Sequence, residues 1–197
     1  MTHAQPSARV KVGVLLAGQP SDLAEWLRDA AAFDAAGADV LWLDLASQPE
    51  LDPLAMAAAL AVVTFRSHLF VSLPEPDLVS PSAPRLLATI DRLSRGRVRF
   101  VADAEASTAE ALSPELVSGV GVVRHVAGSP AVLEDAEGQR WTVEPPPDGR
   151  EGWQTSVLAA VERGAYGMIV PASPGLLDLL RNPDDQGDRR DLQLSVG

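Results

Sequence analysis

DVLWLDLASQPELDPLAMAAALAVVTFRSHLFVSL, residues 39–73, contains the repeating unit of the fold. Asp39–Leu45 is a short apolar run without strict alternation, which suits a strand covered on both faces. Asp52-Pro53 reads as a helix N-cap followed by a proline in the first turn, and Leu54–Thr64 continues as helix. His68–Leu73 is a second apolar strand. A strand, a helix and a strand of these lengths imply parallel pairing through a right-handed crossover.

The same unit extends both ways. Upstream, Lys11–Ala17 (KVGVLLA) reads as a strand. Asp22 caps the next helix, with Glu25 placed for a capping box; Leu23, Trp26, Leu27, Ala30 and Phe33 share a face, and Gly37 stops it. Downstream, Pro84–Arg95 reads as a helix with Leu86, Leu87, Ile90 and Leu93 inward, ended by Gly96, and Arg97–Ala102 as the fourth strand. The strands start at Lys11, Asp39, His68 and Arg97, at intervals of 28, 29 and 29 residues. Such regularity marks stacked βα units. A full eight-unit barrel takes about 250 residues, and eight units from Lys11 would overrun a 197-residue chain. The expected architecture is therefore α/β: a parallel (β/α) barrel of the TIM type, shortened or incomplete, either missing units or closed by unlike elements such as a hairpin, as one domain over residues 1–197. An open doubly wound sheet is the alternative.

After Glu105 the rhythm breaks. Ala106–Pro114 reads as a loop or weak helix, and Ser118–Val126 as a fifth strand. Ala131–Leu133 and Arg140–Val143 flank Asp135-Ala136-Glu137-Gly138, a β-hairpin insertion. Pro145-Pro146-Pro147 is a stiff turn. A helix follows at Gly152–Arg163 with Trp153, Val157, Leu158 and Val161 on one face. Tyr166–Pro171 is the last strand, and Ser173-Pro174 caps a short helix, Leu176–Arg181. Residues 182–197 are polar and read as a loosely held tail.

Composition narrows the function. The net charge is −11, which repels phosphate backbones and anionic lipid and argues against nucleic-acid and membrane-surface roles. There is no cysteine, so disulfides, thiolate nucleophiles and cysteine metal sites are excluded. The longest apolar run, Leu54–Val63, is far short of the roughly 20 residues of a spanning helix, and Met1–Ser7 has no signal-peptide core; a cytoplasmic protein is expected. His3, His68 and His125 lack ligand spacing, so no zinc site is expected. No Gly-x-Ser-x-Gly elbow, Walker loop or dinucleotide fingerprint is present.

Four pieces of the first hundred residues resemble the bacterial luciferase-like monooxygenases: Gly37-Ala38-Asp39-Val40-Leu41-Trp42, Asp52-Pro53-Leu54, Thr64 with Arg66, and Ile90-Asp91-Arg92-Leu93-Ser94-Arg95-Gly96-Arg97. The last is the most specific, close to that family's Leu-Asp-x-Leu-Ser-Gly-Gly-Arg. Beyond Glu105 only Gly164–Pro171 is similar. The resemblance implies a barrel that binds FMN or the deazaflavin F420 at the carboxyl ends of its strands, acts as an oxidoreductase on an organic substrate, and dimerises through helices two and three. Here those helices are Leu54–Val63 and Pro84–Arg95, and the partner would be a second copy or an active paralogue.

Transferred to this chain, the mouth positions are Asp44, Phe70, Val71, Asp103, Glu105, His125, Gly128 and Ser129. Several depart from the family pattern. Asp44-Leu45-Ala46 stands where Gly-Asp-His is common, Phe70-Val71 where Gly-Thr is common, and Asp103 and Glu105 where a flavin phosphate favours glycine or a basic group. Ala127-Gly128-Ser129-Pro130 reads as a plain turn, with a remnant of a later phosphate loop as the alternative. These losses imply weak or absent flavin binding and leave a non-catalytic family member as the alternative to an oxidoreductase. No catalytic side chain stands out. Glu75 and Asp77 join Asp44, Asp103 and Glu105 as strand-end acids; a hard-metal site competes there with simple solvated loops, which is the preferred reading.

Overall fold

The structure, a computed structural model, describes residues 9–16, 20, 22–44, 51–72, 83–102 and 121–182. The strands are β1 (Lys11–Leu16), β2 (Val40–Asp44), β3 (His68–Ser72), β4 (Val98–Ala102), β5 (Gly121–Val126), β6 (Ser129–Glu134), β7 (Arg140–Val143) and β8 (Gly167–Pro171). The helices are α1 (Leu23–Ala35), α2 (Pro53–Val63), α3 (Ala83–Ser94), α4 (Gly149–Glu162) and α5 (Pro174–Arg181). The eight strands close into one barrel in chain order.

The first four strands pair in parallel and in sequence, as their spacing implies, and β5 extends the run. The pairings β5–β6 and β6–β7 are antiparallel, whereas β7–β8 and β8–β1 are parallel again. The wall is therefore mixed rather than uniformly parallel. The hairpin is not an insertion beside an incomplete barrel: its two strands are the sixth and seventh staves. A hairpin needs only a short turn where a parallel crossover needs a dozen or more residues, so a short chain closes a barrel of eight.

Alternation along each strand divides the interior into two cores. One, between wall and helices, contains Val12, Val14, Leu41, Leu43, Leu69, Val71, Phe100 and Met168 with Phe33, Leu60, Leu87 and Ile90. The other fills the lumen with Val40, Trp42, Phe70, Val101, Val123, Leu133, Trp141 and Ile169. Eight strands enclose just enough space for side chains, and the bulky rings fit because a neighbouring stave lacks a side chain. A Cβ at Gly167 would overlap the Trp141 ring, and one at Gly121 would overlap Arg99.

The caps behave as their sequences suggest. Asp22 Oδ1 accepts from the Ala24 and Glu25 N–H groups, and Asp52 Oδ1 from Leu54 and Ala55. Two helix faces differ from expectation. On α3, Leu87 and Ile90 are buried, but Leu86 and Leu93 are 45% and 43% exposed. On α4, Ala160 is buried with Trp153 and Val157 against the core, whereas Leu158 and Val161 face solvent. In both, a narrow stripe suffices for contact with the wall, spaced i, i+3 on α3 and i, i+4, i+7 on α4, and apolar residues one position off it turn outward. Among the described residues, no helix is long and apolar enough to cross a membrane.

At the amino ends of the strands, a polar knot ties α1, α2 and β4 together. The buried Asp34 carboxylate accepts from the N–H groups of Phe65 (2.9 Å), Arg66 (3.0 Å) and Ser67 (2.7 Å). The Ser67 hydroxyl lies 2.8 Å from both Asp34 Oδ1 and the Ala38 carbonyl. Arg97 donates to the carbonyls of Ala61, Thr64 and Ser67 and to Thr64 Oγ1. Burial alone would push the Asp34 carboxyl up; the N–H groups of Ser67, Phe65 and Arg66 and the Ser67 hydroxyl outweigh it and hold the pKa below the ordinary range.

Candidate functional site

The carboxyl ends of β1–β5 form the mouth of the barrel. On β2 the lumen-facing positions alternate as Val40, Trp42 and Asp44, so Asp44 stands at the rim above Trp42. In register with it on β3 is Ser72. The Trp42 indole Nε1–H donates to Ser72 Oγ at 2.9 Å, and both residues are buried. From β5, the His125 ring lies 6.0 Å from the Trp42 ring, tilted by 51°. Trp42, Asp44, Ser72 and His125 thus converge on one side of the mouth.

The other expected positions separate. Phe70 faces the lumen but lies deep, 3% exposed, with its ring edge-on to Trp141 at 5.7 Å. Val71 is fully buried in the outer core and turns away from the lumen. Its assignment to the mouth is therefore corrected, because adjacent strand residues point to opposite faces. Gly128 adopts φ +72° in the β5–β6 turn, where Ser129 pairs with Val126, so this segment is a hairpin turn. Arg124, the one cation that the sequence offers beside His125, shares the outward face of Val122 and is exposed. Asp103 and Glu105 lie outside the described residues, as do Glu75 and Asp77. Among the described residues, no three metal-ligating side chains come together.

Trp42 and Ser72 were not singled out from the sequence as site residues. Period-two alternation on β2 and β3 was the available signal, since it places Trp42 with Asp44 and Ser72 with Phe70. The Trp42–Ser72 hydrogen bond depends on strand register, which those two segments do not reveal separately.

Chemically, this arrangement offers an aromatic wall, one hydroxyl, one imidazole and one carboxylate. Asp44 is the charged group on the lumen side of the mouth among the described residues. Beneath it, Trp42, Phe70, Val101, Val123 and Ile169 close the lumen, so a ligand would rest on the rim rather than enter the barrel.

No protein-family model matches the chain, and no curated protein matches it. One similar solved structure is that of riboflavin lyase with modified FMN and its substrate riboflavin. It is 22% identical over 47% of this chain, with a TM-score of 0.37, and this chain spans 29% of that protein's length.

Proposed function

We propose that this chain is a divergent relative of the luciferase-like flavin-dependent oxidoreductases, built on a TIM-type plan in which a hairpin replaces two βα units, and that its flavin site is reduced. In this reading FMN or F420 binds weakly or not at all, and the domain acts as a non-catalytic partner. The observation that carries it is the charge at the mouth: Asp44 faces the lumen side while Arg124 turns outward. A carboxylate within a few ångströms of a bound phosphate, in partly wet surroundings, costs about 1 kcal/mol or more. Phe70 and Trp141, packed edge to face below, leave the isoalloxazine no depth to occupy.

The absorption spectrum of the purified protein and calorimetric titration with FMN and F420 test this. Little bound flavin and no submicromolar affinity are expected. Submicromolar affinity for either cofactor overturns the reduced site and restores an ordinary oxidoreductase, whose substrate would then sit against Trp42 and His125.

Partnering through α2 and α3 is supported by what the chain leaves uncovered. Leu54, Met56, Ala57, Leu60 and Ala61 are buried by the chain itself, so the nearly all-round apolar character of α2 is mostly accounted for within the chain. Val62, 57% exposed, and Phe65, 66% exposed, remain, together with Leu86 and Leu93 of α3. Apolar side chains clustered on adjacent elements mark an association surface. Light scattering should give the mass of a homodimer, or of a heterodimer when an active paralogue is present. A monomer at micromolar concentration, with no paralogue bound, refutes the association.

A further inference from the structure

Outside the barrel wall, near the carboxyl ends of β1 and β8, a cavity of about 260 Å³ lies between α1 and α5. Leu16, the buried last residue of β1, lies at its base. The rings of Trp26 and Phe33 border it from α1, and Pro174 and Leu177 from α5. Leu16, Trp26 and Phe33 belong to the core between wall and helices, so this space is separate from the lumen and from the mouth. A concave apolar site with a few polar groups is the usual form of a small-ligand site.

Among the described residues, two polar side chains border the cavity, Asp29 and Ser173, and no basic one does. Ser173 is already engaged: its Oγ accepts from the Leu176 N–H at 3.1 Å as the N-cap of α5. Pro174, at the first helical position, has no N–H to give, so this end of α5 offers an anion little. Asp29 is different. It lies three residues after Trp26 and four before Phe33, which sets it between the two rings on one side of α1. It is exposed at the rim, and no hydrogen bond or ion pair engages its carboxylate among the described residues. The adjacent Arg28 turns its Nε to the Ala24 carbonyl. Glu25, one turn before Asp29, adds a second exposed carboxylate on that side of the helix.

We propose that this cavity binds a small aromatic amine in its ammonium form. The ring enters between the α1 aromatics and Leu177, and the ammonium remains at the rim beside Asp29. An apolar cavity of about 150 Å³ is enough for a benzene ring, so this one has room for a ring and a short chain. The site is independent of the flavin reading, since the residues of the mouth take no part in it.

Two tryptophans make this testable on the full chain, because the indole N–H resonance of Trp26 reports the cavity and that of Trp42 the mouth. Titration with phenethylamine should shift Trp26 saturably, with a dissociation constant of about 1 mM or tighter, and leave Trp42 in place. 2-Phenylethanol keeps the ring and chain without the charge and should bind about threefold or more weakly, the range of a rim ion pair. 3-Phenylpropionate reverses the charge and should bind about tenfold or more weakly. Asp29→Asn, at an exposed position, should make the amine and the alcohol bind alike. The proposal fails if Trp26 does not respond, if the alcohol matches the amine in the parent, if the preference for the amine survives Asp29→Asn, or if Trp42 moves first. A Trp26 resonance that shifts with protein concentration alone would assign the cavity to contact between copies of this chain and overturn the small-molecule reading.

Discussion

The two ends of this barrel are built on different principles. At the amino ends of the strands, backbone groups engage charged side chains: the buried Asp34 accepts from three N–H groups, and the half-buried Arg97 donates to three carbonyls. At the carboxyl ends, the described polar groups sit at the rim, where the Trp42 indole donates to Ser72 Oγ. Two of the four segments that carry the luciferase-like resemblance end in the first region, Thr64 with Arg66 and the stretch ending in Arg97, and a third begins there at Gly37 and runs to Trp42 at the mouth. Asp52-Pro53, the fourth, is a helix cap.

The largest test of that contrast is Asp34→Ala. It strands the buried Ser67 N–H and the partly buried Phe65 and Arg66 N–H groups, while the Ser67 hydroxyl keeps the Ala38 carbonyl, and at about 1–3 kcal/mol per orphaned group, partly relieved by water, the loss should be roughly 3 kcal/mol. Urea unfolding measures it. A loss below 1 kcal/mol would mean that the knot does not hold the floor of the barrel.

Acid should find the same end. The folded-state pKa of Asp34 lies below its unfolded value, so the carboxylate's contribution is fully present above the ordinary carboxyl pKa of about 3.9 and is lost as pH falls through the folded value. Stability measured from pH 6 downward should therefore fall more steeply in the parent than in Asp34→Asn. Parallel acid limbs would assign the loss to other carboxyls.

At the mouth, Trp42→Phe removes one hydrogen bond and part of an indole, and should cost about 1–2 kcal/mol, less than Asp34→Ala. The near-ultraviolet dichroism should change while the flavin titration does not. A gain in FMN affinity would instead identify the Trp42 indole as the obstacle on the rim.

The smallest effect is expected at Arg95. It adopts φ 58°, the left-handed region, beside Gly96 at φ 76°. The luciferase-like signature that this stretch resembles carries glycine at this position, and its left-handed backbone is costly for an L side chain. Arg95→Gly should raise stability by about 0.5–1 kcal/mol without altering either end of the barrel. Thermal unfolding decides it, and a destabilised variant would show that the Arg95 side chain contributes more than its backbone conformation costs.

Much of this was legible because it is local. Apolar runs, caps and glycine stops reproduce each strand and helix of the first four units to within a residue or two. The hairpin around Asp135–Gly138 is equally readable, and its use in closing the barrel stays open in the sequence, since an inserted hairpin and one supplying two staves have the same local pattern. Leu86, Leu93, Leu158 and Val161 face solvent although they are apolar, because apolarity alone does not say how wide a contact the wall allows. Val71 and Phe70 cannot both face the mouth, because adjacent strand residues point to opposite faces.

The sequence by itself determined the order and type of the elements and the parallel pairing of the first four strands, since hydrophobic period, capping chemistry and crossover handedness act over a few tens of residues. Barrel closure was decided only in three dimensions, when β8 paired with both β7 and β1. So was the character of each end, because Asp34 meets Ser67, Arg97 meets Ala61 and Trp42 meets Ser72 across about thirty residues of chain or more. Those meetings depend on strand register, a property of pairs of segments that neither segment carries alone.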